Sequence, residues 1–499
     1  MVVSSVNSSN VTADDELVDR LLSLQESYKF DCKRIIGKTD KLLETVIAFA
    51  NSDGGMIVLG LEDPKKATGR DRVFGLEENL LNWDEFQRKL KSRITEPDQL
   101  LCVSQQIPCT LRDGSIGTIG LVRISKSQRV HSIVDNGTYV RLQQGNKEIT
   151  AKEINELSFA RGTISAESQI EDVDFELLNT DFWKTYSQQR GITRPLDQAL
   201  YTLGLAKKNA EGKLKPTMAA VLLFAEEPSG VLAGKCAIRI FHYVGTRAST
   251  DPNTNLAKPP VTISGPIIQQ IRNARQAVIR ELGERIQFTD LGFEIVQKYP
   301  LRVVTEAITN AVIHRDYRLP IDILIRIFSD RIEVESPGML VGPVTTANIG
   351  RIGTFPRNAL IVQNLREFPA APNLDAGEGV RMMFGTMKQA GLYPPQYLTR
   401  PRIEREAVVM VLVNQNRPSV WEQVVAYLEQ NGDIGNAQVR SLLGTEDTLT
   451  ASKQLKAWVE QGILIVKNPD AGRNVRRYGL PDTELPDFFS NLERKERDS

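Results

Sequence analysis

Three runs decide how this chain is read: Glu26-Ser27-Tyr28-Lys29-Phe30-Asp31-Cys32-Lys33, then Phe49-Ala50-Asn51-Ser52-Asp53-Gly54-Gly55, then Met56-Ile57-Val58-Leu59-Gly60-Leu61-Glu62-Asp63. Tyr28, Phe30 and Cys32 alternate with Lys29, Asp31 and Lys33, the period-two pattern of a strand. A helix follows, capped by Thr39 or Asp40, with Leu43, Val46, Ile47 and Ala50 on its buried face. Gly54-Gly55 ends it and turns into an apolar strand that delivers Glu62-Asp63. Glu26, Asp31 and Asp63, with Lys33, could together hold a divalent cation against a phosphate. Glu26 and Asp31 are five apart, so they converge only if the chain turns near Ser27. The plainer reading makes Asp31 an exposed strand residue between two lysines, Glu26 the end of a helix over 14–26, and Asp63 the start of a turn before Pro64.

At 499 residues the chain is too long for one ordinary core. No apolar run reaches the ~18 residues of a bilayer span, and the polar start carries no secretory pattern, so a cytoplasmic protein with no membrane contact is expected. Four cysteines without a C-x-x-C pair read as reduced thiols, and three histidines make a histidine-rich metal centre unexpected. Net charge is zero, so nucleic-acid binding would have to come from local basic faces.

Strands around 101–107, 118–124 and 137–142 would extend a mixed sheet, a short helix fits 151–157, and a boundary falls near 165, where the acidic stretch 167–174 begins. Residues 175–205 look helical, 217–225 an apolar helix or strand, and 236–244 a strand. A second constellation follows. A helix over 301–314 carries Glu306 and Asn310 four apart, hence on one face. His314-Arg315-Asp316-Tyr317 comes next; His314 and Asp316 read as fixing a turn. Strands at 321–328 and 331–335 end in Ser336-Pro337-Gly338. A Gly/Thr-rich stretch, 338–358, looks like a mobile lid, and Gly377-Glu378-Gly379 opens another helix. Helices at 421–430, 437–443 and 450–461, then strands at 464–466 and 475–479, fit a winged helix. Its recognition helix carries Lys453 and Lys456, and its wing carries Lys467, Arg473, Arg476 and Arg477. No G-x-x-x-x-G-K-[ST] occurs, which argues against a P-loop helicase.

The first constellation, E-S-x-x-x-[ED]-x-K followed by A-F-A-N-x-x-G-G and an apolar strand ending in Asp63, resembles the AlbA-like domain of the Schlafen family. The second, E-A-[IL]-x-N-A-[VI]-x-H-R-D-Y with D-R-I-E-[VI]-x-S-P-G, Arg357-Asn358 and Gly377-Glu378-Gly379-Val380-Arg381-Met382, resembles the divergent GHKL-type ATPase module that often follows such a domain in RecG-like proteins. The resemblances imply an α+β multidomain chain. It would have a tail (1–15), a Schlafen/AlbA-like domain (16–165), a connecting α/β region (166–265), a GHKL-like α/β sandwich (266–415), a winged helix-turn-helix (416–482) and a charged tail (483–499). They imply that Glu26, Asp31 and Asp63 hold Mg²⁺ or Mn²⁺, with Lys33 stabilising transition-state charge. They imply also that Glu306, Asn310, Gly338, Arg357, Gly377 and Gly379 bind ATP or another nucleotide, with Asn310 on its metal ion. Two departures stand out. Residue 31 is Asp where the family usually has Glu, and Ser336 stands where GHKL ATPases carry the Asp that reads adenine. The implied function is a divalent-metal-dependent nuclease acting on RNA, with tRNA a candidate, or on DNA, regulated by nucleotide and serving phage defence or stress. The alternative is a non-enzymatic DNA-binding transcriptional regulator with nucleotide-controlled conformation. Modules of this kind often pair, so at least a homodimer is expected.

Overall fold

The alternating run and the apolar run of the opening motif pair directly, as parallel strands joined by the helix between them. The computed structural model describes residues 14–481 except 25, 143–144, 233, 250–253, 284, 290–291, 297–298, 354, 373–377, 401, 419, 470 and 473–474; the side chains of 285–289, 292–296 and 430 are also outside it. Gly377, Arg473 and the tail 483–499 therefore lie outside the described residues. Two compact units part between Thr163 and Ile164.

In the first unit α1 (Asp15–Ser23), β1 (Phe30–Lys33), α2 (Thr39–Ala50), β2 (Gly55–Leu59), α3 (Leu80–Ser92), β3 (Cys102–Thr110) and β4 (Ile116–Ile124) build a four-stranded sheet in the order β1-β2-β4-β3. Only the β1–β2 pair is parallel. The side chains alternate across this sheet, so each face has its own core. On one face Ile57, Leu59 and Val122 pack with Val46 and Ile47 of α2 and Trp83 of α3. On the other Phe30, Cys32, Met56 and Val58 pack with Leu17 and Leu21 of α1. The α1 helix begins at Asp15, inside the expected tail, and stops at Ser23, short of Glu26.

The motif at 49–55 is a structural joint. Gly54 has φ +74°, and a Cβ there would lie 2.8 Å from the Ile124 carbonyl oxygen. Buried Asn51 donates to the carbonyls of His131 (2.8 Å) and Tyr139 (2.9 Å) and accepts from the His131 N–H (2.9 Å). This bonding corrects one expectation. The strand at 137–142 does not extend the mixed sheet. Among the described residues β5 (Tyr139–Arg141) pairs only with β6 (Asn146–Glu148), because Asn51 and the Ser52 hydroxyl take its outward backbone groups. α4 (Ala151–Ala160) closes the unit behind a Thr150–Glu153 capping box.

The second unit opens with α5 (Asp181–Gln189), α6 (Leu196–Thr202), the hairpin β7 (Ala206–Lys208) and β8 (Leu214–Pro216), α7 (Met218–Phe224) and α8 (Pro228–Val231). The 217–225 run is thus a helix. Every residue of α7 from Ala219 on is buried, with Thr217 capping it. There follow β9 (Ile238–His242), β10 (Val261–Ile263), α9 (Ile267–Leu282), the pair β11 (Arg285–Thr289) and β12 (Gly292–Val296), α10 (Leu301–Ile313), β13 (Ile323–Ile327), β14 (Arg331–Pro337), α11 (Ala359–Leu365), α12 (Gly379–Gln389), β15 (Gln396–Leu398) and β16 (Ala407–Val413). The main sheet runs β10-β9-β13-β14-β16-β15, with β9 and β13 parallel and the other pairs antiparallel. One face buries Ile240, Ile325, Val334 and Leu412 against Ile271 of α9, Ile308 of α10 and Met383 of α12.

The C-terminal helices α13 (Trp421–Asn431), α14 (Asn436–Leu443) and α15 (Thr448–Glu460), with the hairpin β17 (Ile465–Val466) and β18 (Tyr478–Gly479), follow the helix–helix–helix–hairpin order of a winged helix. Their core is continuous with the sheet's opposite face. Val409, Val411 and Val413 pack among Trp421, Val424, Leu428 and Trp458, and the Trp458 indole donates to the Tyr393 hydroxyl (2.8 Å). No helix among the described residues is long and apolar enough to cross a membrane.

Glu167 opens the acidic stretch at the unit boundary, yet it is 1 % exposed. Its two carboxyl oxygens accept from the Leu360 and Ile361 N–H groups (both 2.8 Å), the unpaired donors that begin α11. Burial pushes its carboxyl up to about 7, against the lowering effect of those N–H groups. A folded-state value above the unfolded one means that this contribution is complete below the ordinary carboxylate range and is lost as the pH rises through about 7. Glu167→Ala leaves two buried donors unpaired and should destabilise the protein by about 1–3 kcal/mol. Urea unfolding at several pH values checks this: the penalty should be larger at pH 5 than at pH 8, and a variant as stable as the parent at both would count against the cap.

Candidate functional site

In the first unit a turn at Ser27 does what convergence required. The Ser27 N–H donates to the Phe30 carbonyl (2.9 Å) and the Lys29 N–H to the Ser27 hydroxyl (3.2 Å). The reversal brings Glu26 back along β1, an edge strand, where its carboxylate accepts from the Cys32 N–H (3.3 Å). Burial raises the Glu26 carboxyl, and the nearby charge of Asp31 and, more weakly, of Asp63 adds to the rise; the Cys32 N–H and Lys33 oppose it. The three acids and Lys33 therefore share one electrostatic neighbourhood.

Asp31 is not the exposed strand residue of the plainer reading; it is 3 % exposed. One of its oxygens meets Arg141 (2.9 Å) and the other Lys33 (3.3 Å). Arg141 also donates to the Ser27 carbonyl (3.1 Å) and Asn146 (3.0 Å) and lies over the Phe49 ring. Asp63 accepts from the Lys65 N–H (2.8 Å), the Asx turn that the plainer reading expects before Pro64. Among the described residues no three His, Cys, Asp or Glu side chains form a group that could hold a metal ion. The donor set as it stands does not fit one, because both Asp31 oxygens already face cations. Sequence reasoning missed Arg141, whose only signal was a basic residue at the end of a short apolar strand.

In the second unit Glu306, Asn310, Gly338 and Gly379 line one cavity of about 560 Å³. The Asn310 amide N–H donates to the Glu306 carboxylate (3.0 Å), which leaves the amide oxygen as the group suited to a cation. Burial raises the Glu306 carboxyl; Asn310 and the Arg302 charge oppose the rise. Gly379 begins α12 against Glu306, and a Cβ there would collide with the Glu306 carboxylate. The residue type is thus set by close approach of the two helices. Ser336 also lines the cavity and donates its hydroxyl to the Ala311 carbonyl (2.7 Å). His314 lines it too, and burial beside Arg357 lowers its ring to about 4, so it stays neutral at physiological pH.

Arg357 does not line the cavity. It is buried behind it, where its guanidinium donates to the carbonyls of His314 (3.1 Å) and Met339 and faces Asp316 (3.6 Å). Asn358 donates to the carbonyls of Ile313 (2.9 Å) and Arg315 (2.8 Å). Arg357, expected to contact nucleotide, instead joins Asn358 in holding the turn after α10. Gly338 has φ +108°, and a Cβ there would lie 2.8 Å from the Asp316 Cβ, so its role is a tight junction with that turn. In the stretch expected as a lid, Val341 and Val344 are buried, and Asn348 bonds to Thr345 and Pro343.

At the C-terminus Lys453 and Lys456 are exposed on α15, and Lys456 faces Glu460 (3.7 Å). Arg477 meets Gln438 (3.3 Å) and Asp433 (3.8 Å), which ties it to the helices. The Lys467 stem packs against Gly479, and Arg476 is half-buried, with its Nε enclosed. The basic wing is thus partly internal, and its outward cations among the described residues lie mostly on α15.

Residues 26–150 match the family model described as Schlafen, AlbA_2, and residues 321–410 match the one described as the putative ATP-dependent DNA helicase recG C-terminal region. Glu306 and Asn310 lie before the second match. A crystal structure of the DIP2311 protein from Corynebacterium diphtheriae is 18 % identical, covers 93 % of this chain and 96 % of its own, and has a TM-score of 0.41. The solution structure of the N-terminal domain of a putative ATP-dependent DNA helicase RecG-related protein from Nitrosomonas europaea is 21 % identical over 28 % of this chain and 95 % of its own, with a TM-score of 0.20. No curated protein matches. The chain thus carries a Schlafen/AlbA_2 domain at its N-terminus and a RecG-like, ATPase-type domain in its C-terminal region, the two families its motifs resemble.

Proposed function

We propose that this is a nucleic-acid-binding protein whose state is set by a nucleotide in the cavity of the second unit. The observation that carries the reading is that cavity. One wall brings together a buried acid, Glu306, and a carboxamide, Asn310, beside the start of α12. Asn310 would hold the divalent cation of a bound nucleotide through its amide oxygen, and the cation would neutralise phosphate charge. Glu306, with its raised proton affinity, suits a group that orients a water against a phosphate. The Schlafen/AlbA_2 domain and the exposed lysines of α15 support contact with nucleic acid. A cytoplasmic dimer is the assembly this reading expects.

A second reading is a divalent-metal-dependent nuclease acting on RNA or DNA. What favours it is the electrostatic coupling of Glu26 with Asp31 and Asp63. The pairing of Asp31 with Arg141 and Lys33 weighs against it, and no step is assigned to a metal there.

Three measurements separate the readings. Calorimetry with ATP and Mg²⁺ should give binding that Asn310→Ala weakens about tenfold or more, the loss of one cation ligand. Glu306→Ala should bind nucleotide and lose any hydrolysis; retained hydrolysis would remove Glu306 from this role. The purified protein incubated with tRNA, single-stranded DNA and duplex DNA, with and without Mn²⁺, should retain one of them without cutting. Metal-dependent cutting that a folded Asp63→Ala variant lacks would establish the nuclease instead.

A further inference from the structure

The cavity around Glu306 and Asn310 is ringed by cations, of which only Arg381 belongs to a motif the sequence displays. Arg275 on α9, Arg302 in the first turn of α10 and Arg381 in the first turn of α12 all line it. All three residues are exposed. Arg381 donates to the Arg351 carbonyl (3.4 Å), and among the described residues no carboxylate lies within ion-pair distance of any of the three. The contrast with the same unit's outer sheet face is sharp. There Arg326, Arg331 and Arg405 are each paired with Glu333 or Glu335. Three guanidiniums carried by three helices line one concave surface, with Arg302 also acting on the Glu306 carboxyl, and an anion entering that surface would meet positive charge from three sides.

The sheet gives the cavity a different lining. Val334, Val408 and Met410 line it with Tyr397 and Ser336, and Ser336 spends its hydroxyl proton on the Ala311 carbonyl. Among the described residues the lining carboxylates are Glu306 and Glu378, and both sit at the start of α12, where Glu306 touches Gly379. The apolar sheet residues therefore offer a flat ring a surface to pack on, and among the described residues no carboxylate comes from the sheet to read its exocyclic amine. Recognition energy is concentrated at the arginines, which bind phosphate oxygens in a bidentate fashion.

Resting on the reading that this cavity takes a nucleotide, we propose that it is a phosphate-reading, base-tolerant site for a nucleoside triphosphate, with Arg275, Arg302 and Arg381 gripping the phosphate chain. The experiment titrates ATP, GTP, AMP and adenosine, with Mg²⁺, into the full-length protein and into Arg302→Gln and Arg381→Gln, whose exposed positions leave the fold intact by circular dichroism. ATP and GTP should bind within about threefold of each other, and ATP about tenfold or more tighter than AMP. Each variant should weaken ATP by about three- to tenfold, leave adenosine unchanged, and lose less at high salt. Equal affinity for adenosine, AMP and ATP, or variants that bind ATP like the parent, would overturn the arginine rim while the nucleotide reading stood. Rejection of GTP by about a hundredfold or more would overturn base tolerance alone. Binding of none of the four would overturn the nucleotide reading and this proposal with it.

Discussion

The second unit depends on how the C-terminus of α10 is satisfied. A helix ends with carbonyls that have no partner within it, and a buried end must find donors elsewhere. Here the donors come from far along the chain. Asn358 reaches the carbonyls of Ile313 and Arg315, and Arg357 reaches those of His314 and Met339. Gly338 can approach the turn only because it has no side chain. These few bonds tie the end of α10, the end of β14 and the start of α11 into one junction. α10 in turn presents Glu306 and Asn310 to the cavity. Against its burial, Arg318 and Arg357 hold the Asp316 carboxyl below the usual carboxylate range, so Asp316 keeps its charge and completes the junction.

The fold was legible where periodicity and punctuation agree. The strand at 30–33, shorter than the alternation from 28 suggests, the apolar face of α2 and the Gly54-Gly55 turn each follow from local chemistry, and their assembly follows from the sidedness of the sheet. The i, i+4 pair Glu306–Asn310 was legible for the same reason. Arg357 was not. The resemblance implies a nucleotide contact for Arg357, and only the three-dimensional path shows that its donors face backbone. Residue 31 was misjudged in the same way. Flanking lysines suggest solvent, yet Arg141 arrives from 110 positions away to pair with it. Long-range partners leave no local signal.

The Asp31–Arg141 pair also sets what the first unit can do as it stands. A buried carboxylate is costly unless it is paired, and removing one partner leaves an uncompensated charge. A divalent ion could use Asp31 only by displacing Lys33 from one oxygen or Arg141 from the other, and Arg141 also holds the Ser27 carbonyl and Asn146. Displacing Arg141 would cost the turn that brings Glu26 to β1 one of its anchors.

The arginines explain why composition says little here about nucleic acid. Arg72, Arg161, Arg315 and Arg357 are buried, and each donates to backbone carbonyls: Arg72 to Glu62, Arg161 to Ser127, Arg315 to Leu319 and Arg357 to His314. A planar fork of five donors is well suited to crosslinking a chain whose loops end in unpaired carbonyls. Cations used in this way are counted in the net charge but contribute no surface to a polyanion. The balance of 62 basic and 62 acidic residues thus hides two populations. One is internal and architectural. The other is exposed, and its members act only where they converge. Lys453 and Lys456 lie one helical turn apart, and Lys456 already faces Glu460, whereas the arginines around the α10 cavity come from three helices onto one concave surface. Convergence of unpaired charge, more than its total, distinguishes a binding site from a solvated face.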